Sequence, residues 1–381
     1  MPRKLTDNRA VYVVGVGWHR YQPASETPYV MLGIPAMRMA LEDAGIAFDQ
    51  VDSAYVGAAL LGMAAGRPML KHLGATGLPL VHIENASASG SAAFRHACIE
   101  VASGMADVSM VIGVDKPAPV RRAGGETGIP HLADDAIVPF THFALLTNEY
   151  AHRHGVSPED VALVAVKNHR NGSLNPHAHR QKERSLDEIL GGKRVSGSLT
   201  ALQCCPVGEG AAAAIVASEE AIERLGLDMS RAVRVTASAA SSERAAQFGG
   251  ADAAITGDTM KAALAQAGRK ATEVDILELH DAFTIEELHY VEAMGVCEPG
   301  QAIHLLKEGA FDIGGRMAVS PSGGLIAMGH PIGPTGVGQV GEIAMQLRGE
   351  AGPRQHKDAK VGMAHMVGVG AVCYVHMFER A

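Results

Sequence analysis

The chain has 381 residues, a formal net charge of -8, and 47% hydrophobic but only 4% aromatic side chains. That length accommodates two domains or one large core. The acidic balance and the scarcity of aromatics argue against nucleic acid and anionic membranes as partners. Five cysteines (Cys98, Cys204, Cys205, Cys297 and Cys373) are odd in number and form no CxxC. They fit neither a disulfide framework nor a zinc site, and they suit a reduced compartment. The stretch 1–6 lacks an apolar signal core and no apolar run is long enough to cross a bilayer, so a cytoplasmic protein is expected.

In chain order, an apolar strand is predicted at 10–15, then a helix ending in Ala40-Leu41-Glu42-Asp43-Ala44-Gly45 and a strand from Val51-Asp52. A third strand at 78–83 runs into Glu84-Asn85-Ala86-Ser87-Ala88-Ser89-Gly90-Ser91, and a helical pattern covers 94–101. Small residues where a strand becomes a helix suit a nucleophile elbow, because the free amides of a helix N-terminus stabilise an anion. A strand at 108–113 and another at 211–218 bracket a long insertion. It is rich in His, Arg, Asn, Gly and Pro, with helical patterns at 143–154 and 158–170. Long insertions of this kind are usually functional.

A strand at 232–236 opens the second half, where Ala263-Leu264-Ala265-Gln266-Ala267-Gly268 and Val274-Asp275 repeat the earlier helix–glycine–strand spacing and imply duplication. The buried-strand pattern over 274–283 delivers His280 and Asp281 at its C-terminal end, the edge where α/β sheets gather ligand-binding groups. Next comes Gly323-Gly324-Leu325-Ile326-Ala327-Met328-Gly329-His330-Pro331-Ile332-Gly333-Pro334-Thr335-Gly336. Glycines there permit close backbone approach to a ligand and prolines stiffen the loop that aims the imidazole of His330, as a general base requires. Alone, the stretch also reads as a glycine-rich turn with an incidental histidine. Two buried strands joined by a glycine turn close the chain over 360–378.

The elbow at Ser87, the His280-Asp281-Ala282-Phe283 segment and the Gly329-His330-Pro331 segment, in this order, resemble the thiolase superfamily, specifically its sterol carrier protein X-type members. The resemblance extends through Lys167-Asn168-His169-Arg170, Asn175-Pro176 and 204–213, over nearly the whole chain. It implies an α/β fold of two duplicated βαβαβαββ halves, 1–230 and 231–381. These pack as five α-β-α-β-α layers, with a loop domain at about 116–205 that holds coenzyme A. It implies CoA-dependent cleavage or Claisen formation of a 3-ketoacyl-CoA, with coenzyme A as co-substrate and no tightly bound cofactor or metal. It also implies a homodimer and a small zinc-ribbon/OB-fold partner completing the CoA site.

Residue by residue, the resemblance places Ser87 at the nucleophile position and His330 as its base. The amides of Ser87 and Gly368 form one oxyanion hole, and His280 contributes to a second. His365 is placed as a proton carrier where ordinary thiolases have a second cysteine, the position next to it being Met366. Lys167, His169, Arg170 and Arg180 are expected to face the nucleotide phosphates, joined by Lys182, Arg184 and the backbone at Gly329. Asp281 is expected to orient a loop. His142, His152, His154, His177 and His179 show no repeating ligand spacing and are read as surface or channel residues.

Serine at position 87 departs from the family's cysteine, and a hydroxyl ionises far less readily than a thiol. Two origins are open: an introduced exchange that traps an acyl-CoA, or a natural residue in a retro-aldol lyase that breaks a carbon–carbon bond of a 3-hydroxyacyl-CoA without an acyl-enzyme. A non-catalytic acyl-CoA binding subunit is the third reading.

Overall fold

A computed structural model describes residues 4–117, 139–244, 251–368 and 372–381. The first part of the loop segment and the glycine turn at 369–371 therefore lie outside the described residues.

The N-terminal half runs β1 (Val11–Gln22), α1 (Tyr29–Ala44), β2 (Ser53–Gly57), α2 (Gly66–Lys71), β3 (Leu80–Ile83), α3 (Ser89–Ser103) and β4 (Val108–Asp115). The insertion follows with α4 (Pro139–His154), α5 (Pro158–Val161), α6 (Leu163–Ser173), α7 (Leu186–Leu190) and the small ribbon β5 (Arg194–Ser196) and β6 (Leu199–Thr200). The chain then returns to β7 (Glu209–Ser218) and α8 (Glu219–Leu225). The second half comprises β8 (Val233–Ser242), α9 (Ala251–Ala267), β9 (Ile276–Glu278), α10 (Thr284–Ala293), α11 (Ala302–Lys307), β10 (Ala318–Val319), α12 (Gly324–Ala327), α13 (Ile332–Arg348), β11 (Val361–Gly368) and β12 (Val372–Arg380).

The strands lie in the order β10-β9-β11-β12-β8-β1-β7-β4-β2-β3. Each half thus contributes its third, second, fourth, fifth and first strand in that sequence, the two arrangements being mirror readings of one another. A short antiparallel pairing, Tyr12 with Arg234 and Val13 with Val233, joins them. The duplication read from the helix–glycine–strand echo is observed, and each half follows the βαβαβαββ plan that the resemblance implied. Gly45 and Gly268 cap α1 and α9 with φ of 72° and 66°, a left-handed turn that glycine adopts without strain.

Strand alternation sorts most of the buried side chains among the described residues into three large cores, with a small fourth cluster of Ala88, Ala92, Met366 and Tyr374 at the elbow. On β7, Ala211, Ala213, Ile215 and Ala217 meet Leu32, Met37 and Leu41 of α1 on the outer face. Ala212, Ala214 and Val216 face the middle layer, where Phe94 and Val101 of α3 meet Val340 and Ile343 of α13. The far face of the second half packs Met363, Val375 and Met377 against Met260 of α9 and Leu288 of α10. These make five layers, α-β-α-β-α. Among the described residues no helix is long and apolar enough to cross a membrane. The buried-strand pattern over 274–283 is only partly realised. β9 is three residues long, and His280 follows it in a loop.

Candidate active site

The two middle-layer helices, α3 and α13, start beside one another, and their N-termini carry the elbow and the His330 loop. Glycine makes this approach feasible. A β-carbon on Gly90 would sit 2.4 Å from the carbonyl oxygen of Gly333, far inside contact distance. Gly90→Ala should therefore push the start of α13 away and misplace His330. The expected result is turnover about 10- to 100-fold lower with substrate affinity largely kept, read as a kcat loss without a matching rise in KM.

Ala86, just before Ser87, has φ of 49°, in the left-handed region that non-glycine residues rarely occupy. This strained turn lifts Ser87 out at the head of α3, the geometry of a nucleophile elbow. Ser87 Oγ lies 3.0 Å from His330 Nε2, and His330 Nδ1 lies 2.9 Å from Thr335 Oγ1. Thr335 spends its own hydroxyl proton on the Pro331 carbonyl at 2.6 Å. Its oxygen is therefore an acceptor, which places the ring proton on Nδ1 and leaves Nε2 to accept from Ser87. Burial, and after it the neighbouring His280, hold the His330 ring well below the usual histidine pKa, so it is neutral at pH 7.

The loop is pinned from two sides. Asp115, at the end of β4, accepts the Gly333 N–H at 2.6 Å and the Ala59 and Leu60 amides, while burial raises its carboxyl to about 6. Asp281 accepts the Leu325 N–H at 2.7 Å and the Asn168 amide at 2.5 Å. It orients the loop, as expected.

His280 stands edge-on to His330, ring centroids 5.3 Å apart. Its Nδ1 lies 3.2 Å from Glu286 Oε1, and its Nε2 is buried with no partner among the described residues. His365 is fully buried. Its Nδ1 accepts the His280 backbone N–H at 3.4 Å, its Nε2 meets Thr256 Oγ1 at 2.9 Å, and burial pushes its pKa down to about 3. Both nitrogens thus have protein partners, and the ring has no exposed edge. Gly368 ends β11 against the elbow: a β-carbon there would lie 2.4 Å from the Asn85 carbonyl oxygen.

Ser87, His330, His280, His365 and Gly368 are thus brought to one place. The residues expected to face the nucleotide phosphates have protein partners. Lys167 is 3% exposed, paired with Glu287 at 3.1 Å and donating to the Val319 carbonyl and Asn168 Oδ1. His169 is buried with Nε2 on the Leu202 carbonyl, its pKa lowered to about 4 by burial. Arg170 pairs with Asp312 at 2.5 Å. Arg180 spans the carbonyls of Cys204, Ile326 and Ala201. Lys182 and Arg184 share Glu188.

Gly329, with φ of 103°, presents backbone beside His330. Of the other histidines, His177 stacks on Trp18 and His154 packs on Tyr150. Among the described residues no His/Cys/Asp/Glu group could hold a metal.

Sequence reading missed Thr335, Thr256, Tyr290 and Glu286. Thr335 and Glu286 carried a local signal. Each falls in the first turn of a helix just after a motif histidine, and Glu286 completes a capping arrangement by accepting the Phe283 N–H at 2.8 Å.

Two family models cover the chain: thiolase, N-terminal domain, over residues 20–190, and thiolase C-terminal domain-like, over residues 229–377. The chain belongs to the thiolase family. It is 35% identical to sterol carrier protein 2 of Gallus gallus over 97% of this chain and 72% of that protein. It is likewise 35% identical to benzoylsuccinyl-CoA thiolase subunit BbsB of Thauera aromatica, over 95% of each. Among solved structures it superposes on the Ltp2-ChsH2(DUF35) aldolase with a TM-score of 0.82 at 20% identity, covering 98% of both chains, a likeness of fold. The sterol carrier protein-type resemblance carried by the three motifs is thereby established for this thiolase.

Proposed function

We propose that this thiolase is an acyl-CoA C-acyltransferase acting on a 3-ketoacyl-CoA, with coenzyme A as co-substrate. The observation that carries the reading is the Ser87 Oγ···His330 Nε2 contact of 3.0 Å, with the ring proton held on the far nitrogen by Thr335. Ser87 occupies the acyl-acceptor position and His330 takes its proton as Oγ attacks the 3-keto carbon. Amides of Ser87 and Gly368 receive the developing oxyanion. His280 stands over the thioester of the fragment that leaves as a carbanion. Gly329 offers backbone to the CoA arm. A homodimer, a cytoplasmic location and a small partner protein belong to the same proposal. The solved aldolase, which carries ChsH2(DUF35) beside Ltp2 in its name, supports the last of these.

Serine at position 87 favours a second reading, a lyase that cleaves a 3-hydroxyacyl-CoA without an acyl-enzyme and without free CoA. One experiment separates the two. Ser87→Cys should speed CoA-dependent cleavage of acetoacetyl-CoA by about 100-fold, close to 2.7 kcal/mol of barrier. A variant that forms no acyl-enzyme by intact mass, beside a Ser87 protein that cleaves 3-hydroxyacyl-CoA without CoA, gives the lyase. A binding subunit would do neither and still bind CoA.

A further inference from the structure

Glu286 is 2% exposed and sits directly behind His280. Both of its oxygens accept: Oε1 from the Tyr290 hydroxyl at 2.8 Å, Oε2 from the Phe283 N–H at 2.8 Å. With a donor on each oxygen the group is read as a carboxylate, which only accepts, and at 3.2 Å His280 Nδ1 is then the donor. The neutral ring then carries its hydrogen on Nδ1 and a bare lone pair on Nε2. That Nε2 is the buried, unpartnered nitrogen, on the ring that faces His330. The backbone N–H of His280 is tied to His365, whose other nitrogen is tied to Thr256. The backbone that carries the ring is therefore held as well.

We infer that Glu286 is a positioning residue that sets His280 as the proton acceptor for the α-carbon of a bound acyl-CoA, in place of His365. The inference rests on the acyl-CoA reading above and deepens it. The step is balanced within the site. The C2–H bond breaks, its proton goes to His280 Nε2, and its electron pair becomes the C1–C2 π bond as the thioester oxygen takes the negative charge. The imidazolium so formed is offset by the Glu286 carboxylate, and the reverse step returns a proton to C2. In the neutral ring Nε2 cannot donate to an oxyanion; it becomes a donor only after this transfer. A histidine held by a carboxylate in one tautomer is the arrangement that general-base catalysis uses elsewhere.

The test is exchange of the methyl protons of acetyl-CoA with D2O, followed by mass spectrometry, a half-reaction that requires the base but no nucleophile. Glu286→Gln keeps the size and an acceptor for Phe283 but offers an N–H to Nδ1, turning the lone pair away from substrate. Exchange should fall about 100-fold while the acetyl-CoA dissociation constant, from calorimetry, stays within about twofold. Glu286→Asp, which retains a carboxylate, should recover at least about tenfold over the glutamine variant. Equal exchange in wild type and Glu286→Gln would overturn the assignment.

A second measurement does not depend on the variant folding. In protein labelled with 15N-histidine, with the His280 signals assigned by their loss in His280→Asn, the neutral ring should show a protonated Nδ1 and a bare Nε2. The opposite tautomer would overturn the inference. Wild-type protein that binds acetyl-CoA yet exchanges nothing also overturns it and leaves the acyl-CoA reading standing. No binding of acetyl-CoA removes both.

Discussion

Lys167→Met should cost the fold about 3–5 kcal/mol and leave the affinity for CoA unchanged. Lys167, Glu287, Asn168 and Asp281 form one buried group: Lys167 pairs with Glu287 at 3.1 Å, and Asn168 bridges to Asp281 at 2.5 Å. Desolvation raises both carboxyl groups, Asp281 further through Glu287 beside it, and Lys167 is the charge that pulls each back. Removing it leaves two carboxylates facing each other without a cation. They respond by taking up protons, which limits the loss but does not abolish it. Replacing Glu287 by glutamine in the same protein should recover part of the stability, because one of the two facing carboxylates goes with it. The pair would then show a coupling energy rather than simple addition. Denaturant unfolding at pH 7 measures the first effect and calorimetry with CoA the second. A phosphate ligand would show the reverse pattern: weakened CoA binding at unchanged stability.

Lys167 also marks where sequence reading reaches its limit. Its neighbours Asn168, His169 and Asn171 are buried with it on α6, so this helix turns its most polar stretch inward. Periodicity arguments assume that polar residues face water. They fail on a helix inserted between the His330 loop and the second-half core, where Lys167, Asn168 and Nε2 of His169 find internal partners. A sequence counts charges without saying which carboxylate each will meet. Glu286 and Glu287 illustrate this: adjacent in α10, one holds His280 and the other Lys167.

The duplication was legible because it rests on local rules. The helix-terminating glycines at 45 and 268 and the one-turn 3-10 segments Phe48–Gln50 and Ala271–Glu273 keep the same spacing ahead of β2 and β9. The elbow and the His330 loop were legible for a related reason, since small residues, glycines and prolines act on their own backbone. What joins them is tertiary: Gly90 against Gly333, Asp115 under the Gly333 amide, Asp281 under the Leu325 amide.

His330→Ala should lower the rate at which residue 87 is acylated from acetoacetyl-CoA by 10²- to 10⁴-fold, roughly what a positioned general base contributes. Single-turnover intact mass spectrometry reads this directly. Thr335→Val tests the tautomer separately. Without the Thr335 oxygen at 2.9 Å, nothing holds the proton on Nδ1. Rings that move it to Nε2 cannot accept from Ser87, so acylation should fall about tenfold with binding unchanged. The acidic side of the pH profile adds a sign. The active form of His330 is the unprotonated ring, and burial together with His280 lowers its pKa below the ordinary 6.5. A lowered pKa keeps the ring unprotonated to lower pH, so acylation should hold as pH falls through 6.5 rather than halve there. The nearby group that titrates sooner is Asp115, raised to about 6, which accepts the Gly333 N–H and anchors the loop. An inflection near pH 6 would therefore report the anchor and disappear in Asp115→Asn. An inflection at 6.5 that survives Asp115→Asn would mean that His330 is not the desolvated base this packing makes it.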